Sequence, residues 1–115
     1  AFTFHHSGEE AWVSVEEALV AAGFVVERWW PVHAEMTSGT PIQGKAESGG
    51  HLDVVFVCAR AGELAQPAEQ PTVEEMGRKL SEVVRLVPAD HRALLKAGAV
   101  QVATWERSAD EEAAA

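Results

Sequence analysis

The sequence predicts an α/β fold: a strand-helix-strand unit, a further strand inserted antiparallel between its two strands, and a helical C-terminal extension. Three observations predict it. Phe2-Thr3-Phe4, an amphipathic stretch from Ser7 to Ala22, and Phe24-Val25-Val26 follow one another with almost no slack. That is the spacing of a βαβ unit, whose crossover is right-handed in nearly all folds, and taken alone it implies a core of parallel strands. The run Leu52–Ala59 is almost continuously apolar, interrupted only by Asp53, as expected of a strand covered on both faces. The segment opening at Phe24 carries Glu27, Arg28 and Pro31, and proline cannot donate to a ladder, so this strand belongs at the rim. Leu52–Ala59 therefore takes the middle position, and a long hairpin-like connection lets it run backwards relative to both neighbours.

The elements follow in order. Ser7 and Glu10 have the spacing of a capping box, and Glu9 and Glu10 put negative charge at the positive end of the helix dipole. Trp12, Val15, Leu19 and Ala22 recur at helical steps and form the buried face, while Glu9, Glu16 and Glu17 form a solvated one. Gly23 stops the helix, because glycine takes the left-handed conformation at little cost. The second strand spans Phe24–Glu35, and alternation sends Trp29 and Trp30 to opposite faces. Met36–Gly50, rich in Thr, Ser, Gly and Gln, reads as a long loop, and such loops are usually functional or disordered. Residues 61–71 read as a linker. Thr72 and Glu75 repeat the capping box, and Val73, Met76, Leu80, Val83, Val84 and Val87 form one helical face that Pro88 ends. Asp90 is expected to cap a shorter helix through Lys96, closed by Gly98. Val100–Trp105 reads as a short strand and Ser108–Ala115 as a frayed acidic tail. The chain thus divides into a sheet over 1–60, the linker 61–71, a helical extension over 72–107 and a tail over 108–115.

Composition narrows the function classes. The chain of 115 residues is long enough for one ordinary domain, and an apolar content of 47% is that of a globular protein. A net charge of −9 excludes autonomous nucleic-acid binding, which rests on Lys and Arg displacing counterions. No apolar run approaches the ~20 residues of a membrane span, and no basic-then-apolar leader is visible, so the sequence reads as cytoplasmic. Ala1 stands directly against a strand, which leads us to expect a piece of a longer protein. The lone Cys58 lies inside an apolar run and reads as a buried, inert thiol. His5, His6, His33 and His51 match no zinc-ligand spacing, so no metal is expected.

At the level of residues, the run Phe2-Thr3-Phe4-His5-His6, then Glu10-Ala11-Trp12, Ala18-Leu19, Ala22-Gly23-Phe24, Trp30-Pro31-Val32, Glu35 and Asp53-Val54-Val55-Phe56-Val57-Cys58 resembles the C-terminal catalytic-domain region of large adenine-specific DNA methylases of the DUF1156 type. The resemblance covers residues 1–60 and is loose beyond them. It implies the terminal part of the Rossmann-like sheet of S-adenosylmethionine-dependent methyltransferases, and transfer of a methyl group to the exocyclic nitrogen of an adenine flipped out of DNA. In that family the glycine-rich cofactor turn and the Asp-Pro-Pro-Tyr tetrapeptide lie upstream, and neither occurs here. The expectation is therefore a fragment, inactive alone, whose partners are the remaining N-terminal part of the enzyme and, through it, DNA.

In open α/β sheets ligands sit beyond the carboxyl ends of parallel strands. This puts His5, His6 and Ser7 and the 36–50 loop at the expected cleft. Thr37, Ser38, Thr40 and Lys45 are the loop residues suited to phosphate or base contact, and Trp29 or Trp30 to stacking. No residue is assigned a catalytic role. Two other functions compete: a noncatalytic α/β interaction module presenting the helical 72–97 segment, and a fragment of an amino-methyltransferase acting on cytosine or RNA.

Overall fold

A computed structural model of the chain describes residues 1–5, 8–33 and 52–114, with side chains as far as residue 110 and without that of His33. Three strands, β1 (Phe2–Phe4), β2 (Phe24–His33) and β3 (Leu52–Arg60), and three helices, α1 (Glu9–Ala21), α2 (Val73–Ser81) and α3 (Pro88–Ala114), make a small α/β domain. The sheet order is β1-β3-β2, and β3 runs antiparallel to both neighbours. The last strand in sequence thus lies in the middle, reversed, as the apolar run of Leu52–Ala59 implied. The expectation of a parallel core is corrected: β1 and β2 share a direction but never touch, and the sheet is antiparallel throughout.

Strand alternation sorts the sheet into two faces. Val26, Trp29, Leu52, Val54 and Phe56 are buried on the face the helices cover, each at most 3% exposed. A fully buried side chain of this size contributes about 1.5–3 kcal/mol. The register sets Trp29 and Phe2 on either side of Phe56. Phe2 stacks against Phe56 with ring centroids 5.3 Å apart, and Phe4 meets Trp12 of α1 edge-on at 4.8 Å. The second face carries Thr3, Arg28, Trp30 and Val55 and is half-buried or exposed. As alternation required, the tandem tryptophans part company, with Trp29 3% and Trp30 38% exposed.

Helix α1 ends as the sequence reading had it. Gly23 takes φ 83°, left-handed, with its N–H on Val20 O. Its start differs, because Gly8 holds the N-cap position with no side-chain cap bond, so the Ser7–Glu10 capping box is set aside. Its buried face is completed by Val20, not Ala22. Helix α2 has the expected box: Thr72 Oγ1 accepts from Glu75 N–H at 3.1 Å and donates to Glu75 Oε1. It stops at Ser81, so Val83, Val84 and Val87 are not on its face, and Val83 is 78% exposed.

The largest correction concerns the C-terminal third. Pro88 does not end a helix but opens one, tolerated in the first turn where its missing N–H would have no partner. A single helix then runs through the segments read as a short strand (Val100–Trp105) and as a frayed tail (Ser108–Ala115), as far as Ala114. Asp90, Leu94, Ala97, Val100 and Thr104 are buried at three- and four-residue steps, a helical period that outweighs the β-branched residues suggesting a strand. Gly98 is a close-approach residue, not a stop. A Cβ there would stand 3.3 Å from Val73 Cγ2 and 3.6 Å from Trp29 Cζ2, so α2, α3 and β2 converge on it.

Helix α3 also satisfies the outer rim of β2. Thr104 Oγ1 accepts from Val26 N–H at 3.1 Å, and the Trp105 indole donates to Val26 O at 2.7 Å. Gln70, in the segment read as a linker, accepts from Trp29 N–H at 3.2 Å and donates to Trp29 O at 2.8 Å, as an adjacent strand would. Ala68 N–H reaches Glu27 O, at the irregularity between Val26 and Arg28. Helices α2 and α3 therefore share one core with the sheet, through Met76, Leu94, Ala97 and Val100. Across the helical layer, Glu9 pairs with Lys96 and Glu16 with Arg107, surface pairs worth about 0–1 kcal/mol each.

Thr104 is fully buried and its hydroxyl is shared between Val26 N–H and Gln101 O. Thr104→Val keeps the shape and strands the Val26 N–H, which is expected to cost about 1–3 kcal/mol. Urea unfolding measures it, and Thr104→Ser is expected to retain more than half of the difference.

Candidate functional site

The parallel directions of β1 and β2 bring the end of β1 (His5), the end of β2 (His33) and the start of β3 (Leu52) to one end of the sheet. His33 stands opposite Leu52 in the register, so β2 ends and β3 begins at the same place. His5 Nδ1 lies 2.7 Å from Leu52 O and 2.8 Å from Asp53 Oδ1. Both partners are acceptors, so Nδ1 carries a proton. Its side chain is 41% exposed, which leaves it reachable from solvent.

The neighbouring backbone is held from the other side. Asp90, in the first turn of α3, accepts from Leu52 N–H through Oδ1 at 3.2 Å and from Val87 N–H through Oδ2 at 2.9 Å. The second bond is the backward reach of a capping box's third residue, so Asp90 acts inside the helix start and not as its cap. Leu52 is thus clamped, its carbonyl by His5 and its amide by Asp90.

Of the candidate site residues, the structure places His5 at this end. His6, Ser7, Thr37, Ser38, Thr40 and Lys45 lie outside the described residues, as does His51. Trp29 is core, 3% exposed, and borders only the groove between α2 and α3. Trp30 offers an exposed surface for stacking, on the second sheet face, with the Arg28 guanidinium 5.6 Å from its ring centroid. Asp90 was read from sequence only as a helix cap and Asp53 only as a break in an apolar run, neither as a residue of this site. Asp53 was the one charge in an apolar strand next to His51, and that interruption was the available signal. Among the described residues no group of three or more His, Cys, Asp or Glu converges to hold a metal ion.

Both carboxylates are engaged, Asp53 by His5 and Asp90 by two backbone amides. What the arrangement offers chemically is an imidazole oriented through Nδ1 beside a fixed backbone.

Cys58 sits on the helix-covered side of β3, half-buried. Burial raises its thiol pKa, and the amino group of Ala1 opposes this in part. The thiolate fraction near pH 8 is therefore below that of an unfolded thiol, whose pKa is ~8.5. Alkylation by iodoacetamide at pH 8 is expected to be several-fold slower in the folded protein than in urea. Equal rates would show that the β3 face is open.

Comparison of the chain with protein-family models, with curated proteins and with solved structures finds no match in any of the three.

Proposed function

We propose that this chain is the C-terminal part of an S-adenosylmethionine-dependent, adenine-specific DNA methyltransferase of Rossmann-like architecture. The observation that carries the reading is the sheet order: two strands of like direction joined by α1, with the later strand slotted antiparallel between them. Methyltransferase sheets end in this arrangement, and here it occurs in a chain whose residues 1–60 resemble that part of the adenine-specific enzymes.

Two further features support it. The short β1 pairs with β3 alone among the described strands, so its other edge suits addition of a further strand. On the second face, among the described residues, Thr3 and Trp30 are exposed and Val55 is half-buried, whereas sheets of this class are covered on both faces. An upstream catalytic half would supply the next strand, the covering helices, the cofactor site and the residues that hold the target amine. On this reading His5, at the carboxyl end of β1, lines the cleft as a positioning residue. The net charge of −9 assigns the phosphate contacts mainly to the upstream half.

Isothermal titration of the isolated chain with S-adenosylmethionine is expected to show no saturable binding, and clear binding would count against the reading. Co-expression with the segment encoded directly upstream is expected to give transfer of a labelled methyl group to adenine in duplex DNA. His5→Ala in that assembled enzyme is expected to lower transfer by on the order of tenfold to a hundredfold through mispositioning. Label appearing on cytosine or RNA would transfer the assignment to another amino-methyltransferase.

A further inference from the structure

Helix α3 is apolar on two opposite sides. Its inner side, through Asp90, Leu94, Ala97, Val100 and Thr104, is in the core. Its outer side carries Leu95 at 63% and Val102 at 55% exposure, with the exposed Ala99 between them. A surface helix normally presents polar residues opposite its core stripe, and large apolar groups aligned there mark a contact surface. The strip is bordered by shallow grooves towards α2. One of about 370 Å³ is lined by Val73, Gly77, His91 and Leu95, and another of about 370 Å³ by Val73, Gly98, Ala99 and Val102.

The order of charges along the strip selects its occupant. Ala99 is the midpoint, with Leu95 one turn before it and Val102 one turn after. Arg92 lies two turns before it and Glu106 two turns after, both exposed and on the same side of the helix as the strip. This pattern is complementary to itself when reversed. Laid antiparallel on a second copy about a two-fold axis at Ala99, Leu95 falls beside the partner's Val102, and Arg92 falls beside the partner's Glu106. The small Ala99 at the axis lets the two backbones approach closely. A parallel pairing would instead set Arg92 on Arg92 and Glu106 on Glu106.

We infer that the outer face of α3 is a self-association surface, pairing two copies of this chain antiparallel through Leu95, Ala99 and Val102 with reciprocal Arg92–Glu106 ion pairs. The interface is isologous, as a two-fold axis requires. With one helix from each copy at its centre, it lies at the small end of specific interfaces, so the dimer is reversible and concentration-dependent. The inference is independent of the methyltransferase reading, since the strip faces away from the sheet.

Sedimentation velocity on the full chain, over a series from about 1 μM to about 1 mM, the range in which reversible protein contacts fall, tests it. The expected result is a monomer–dimer equilibrium that Leu95→Glu abolishes, with unchanged circular dichroism because Leu95 is mostly exposed. Arg92→Glu is expected to weaken the dimer at least several-fold, and Arg92→Glu combined with Glu106→Arg to restore it. A monomer throughout the series overturns the inference, as does a dimer indifferent to Leu95→Glu. Failure of the charge swap to rescue overturns the antiparallel geometry.

Discussion

The structure depends on how an edge strand is relieved of its unpaired backbone. Placing β3 in the centre leaves β2 on the rim, ten residues long and, among the described strands, paired on one side only. Backbone groups left without partners in a covered region cost as much as a lost hydrogen bond. Here α3 and the segment before α2 supply the partners. Thr104, Trp105 and Gln101 bond the Val26–Glu27 stretch, and the Gln70 amide engages both groups of Trp29. These bonds fix α3 across the sheet, and α3 in turn covers Trp29 and Val26. Sheet and helical extension consequently share one core, and the Val26–Trp29 part of the rim is closed to edge-to-edge pairing with another chain.

The same helix organises the opposite end. Its first turn places Asp90 on Leu52 N–H, while His5 engages Leu52 O. The start of β3 is therefore fixed by a helix on one side and by the end of β1 on the other. A functional group presented from a clamped backbone loses little precision to thermal motion, which is the general requirement for a positioning residue. The His5 ring is oriented from this backbone through Nδ1, which engages Leu52 O and Asp53 Oδ1.

The order of the three strands was legible in the sequence because its causes are local. The near-continuous apolar run of Leu52–Ala59 signals a covered strand, and Pro31 with Glu27 and Arg28 signals a rim. Gly23 and the Thr72–Glu75 pair were legible for the same reason, each acting through its own neighbours. The C-terminal helix was not. Gly98 has the signature of a helix stop, yet its lack of a side chain serves contact with Val73 and Trp29, residues distant in sequence. Val100 and Thr104 favour a strand by propensity, and only their burial against β2 shows the helical period. The Gln70, Gln101 and Thr104 bonds to β2 join residues 41 to 78 positions apart, beyond the reach of any local pattern. Of the site, His5 could be placed from strand direction alone, whereas its partner Asp53 depended on the register of β3.

The central claim is that β3 lies between two strands of like direction, and one residue reports on it from both sides. Val55 is in register with Thr3 of β1 and with Trp30 of β2. Nuclear Overhauser spectroscopy on the isotopically labelled chain should show cross-strand contacts from Val55 to both Thr3 and Trp30, and none directly between β1 and β2. Direct contacts between Thr3 and Trp30, or contacts from Val55 to one strand alone, would contradict the strand order and with it the proposed architecture.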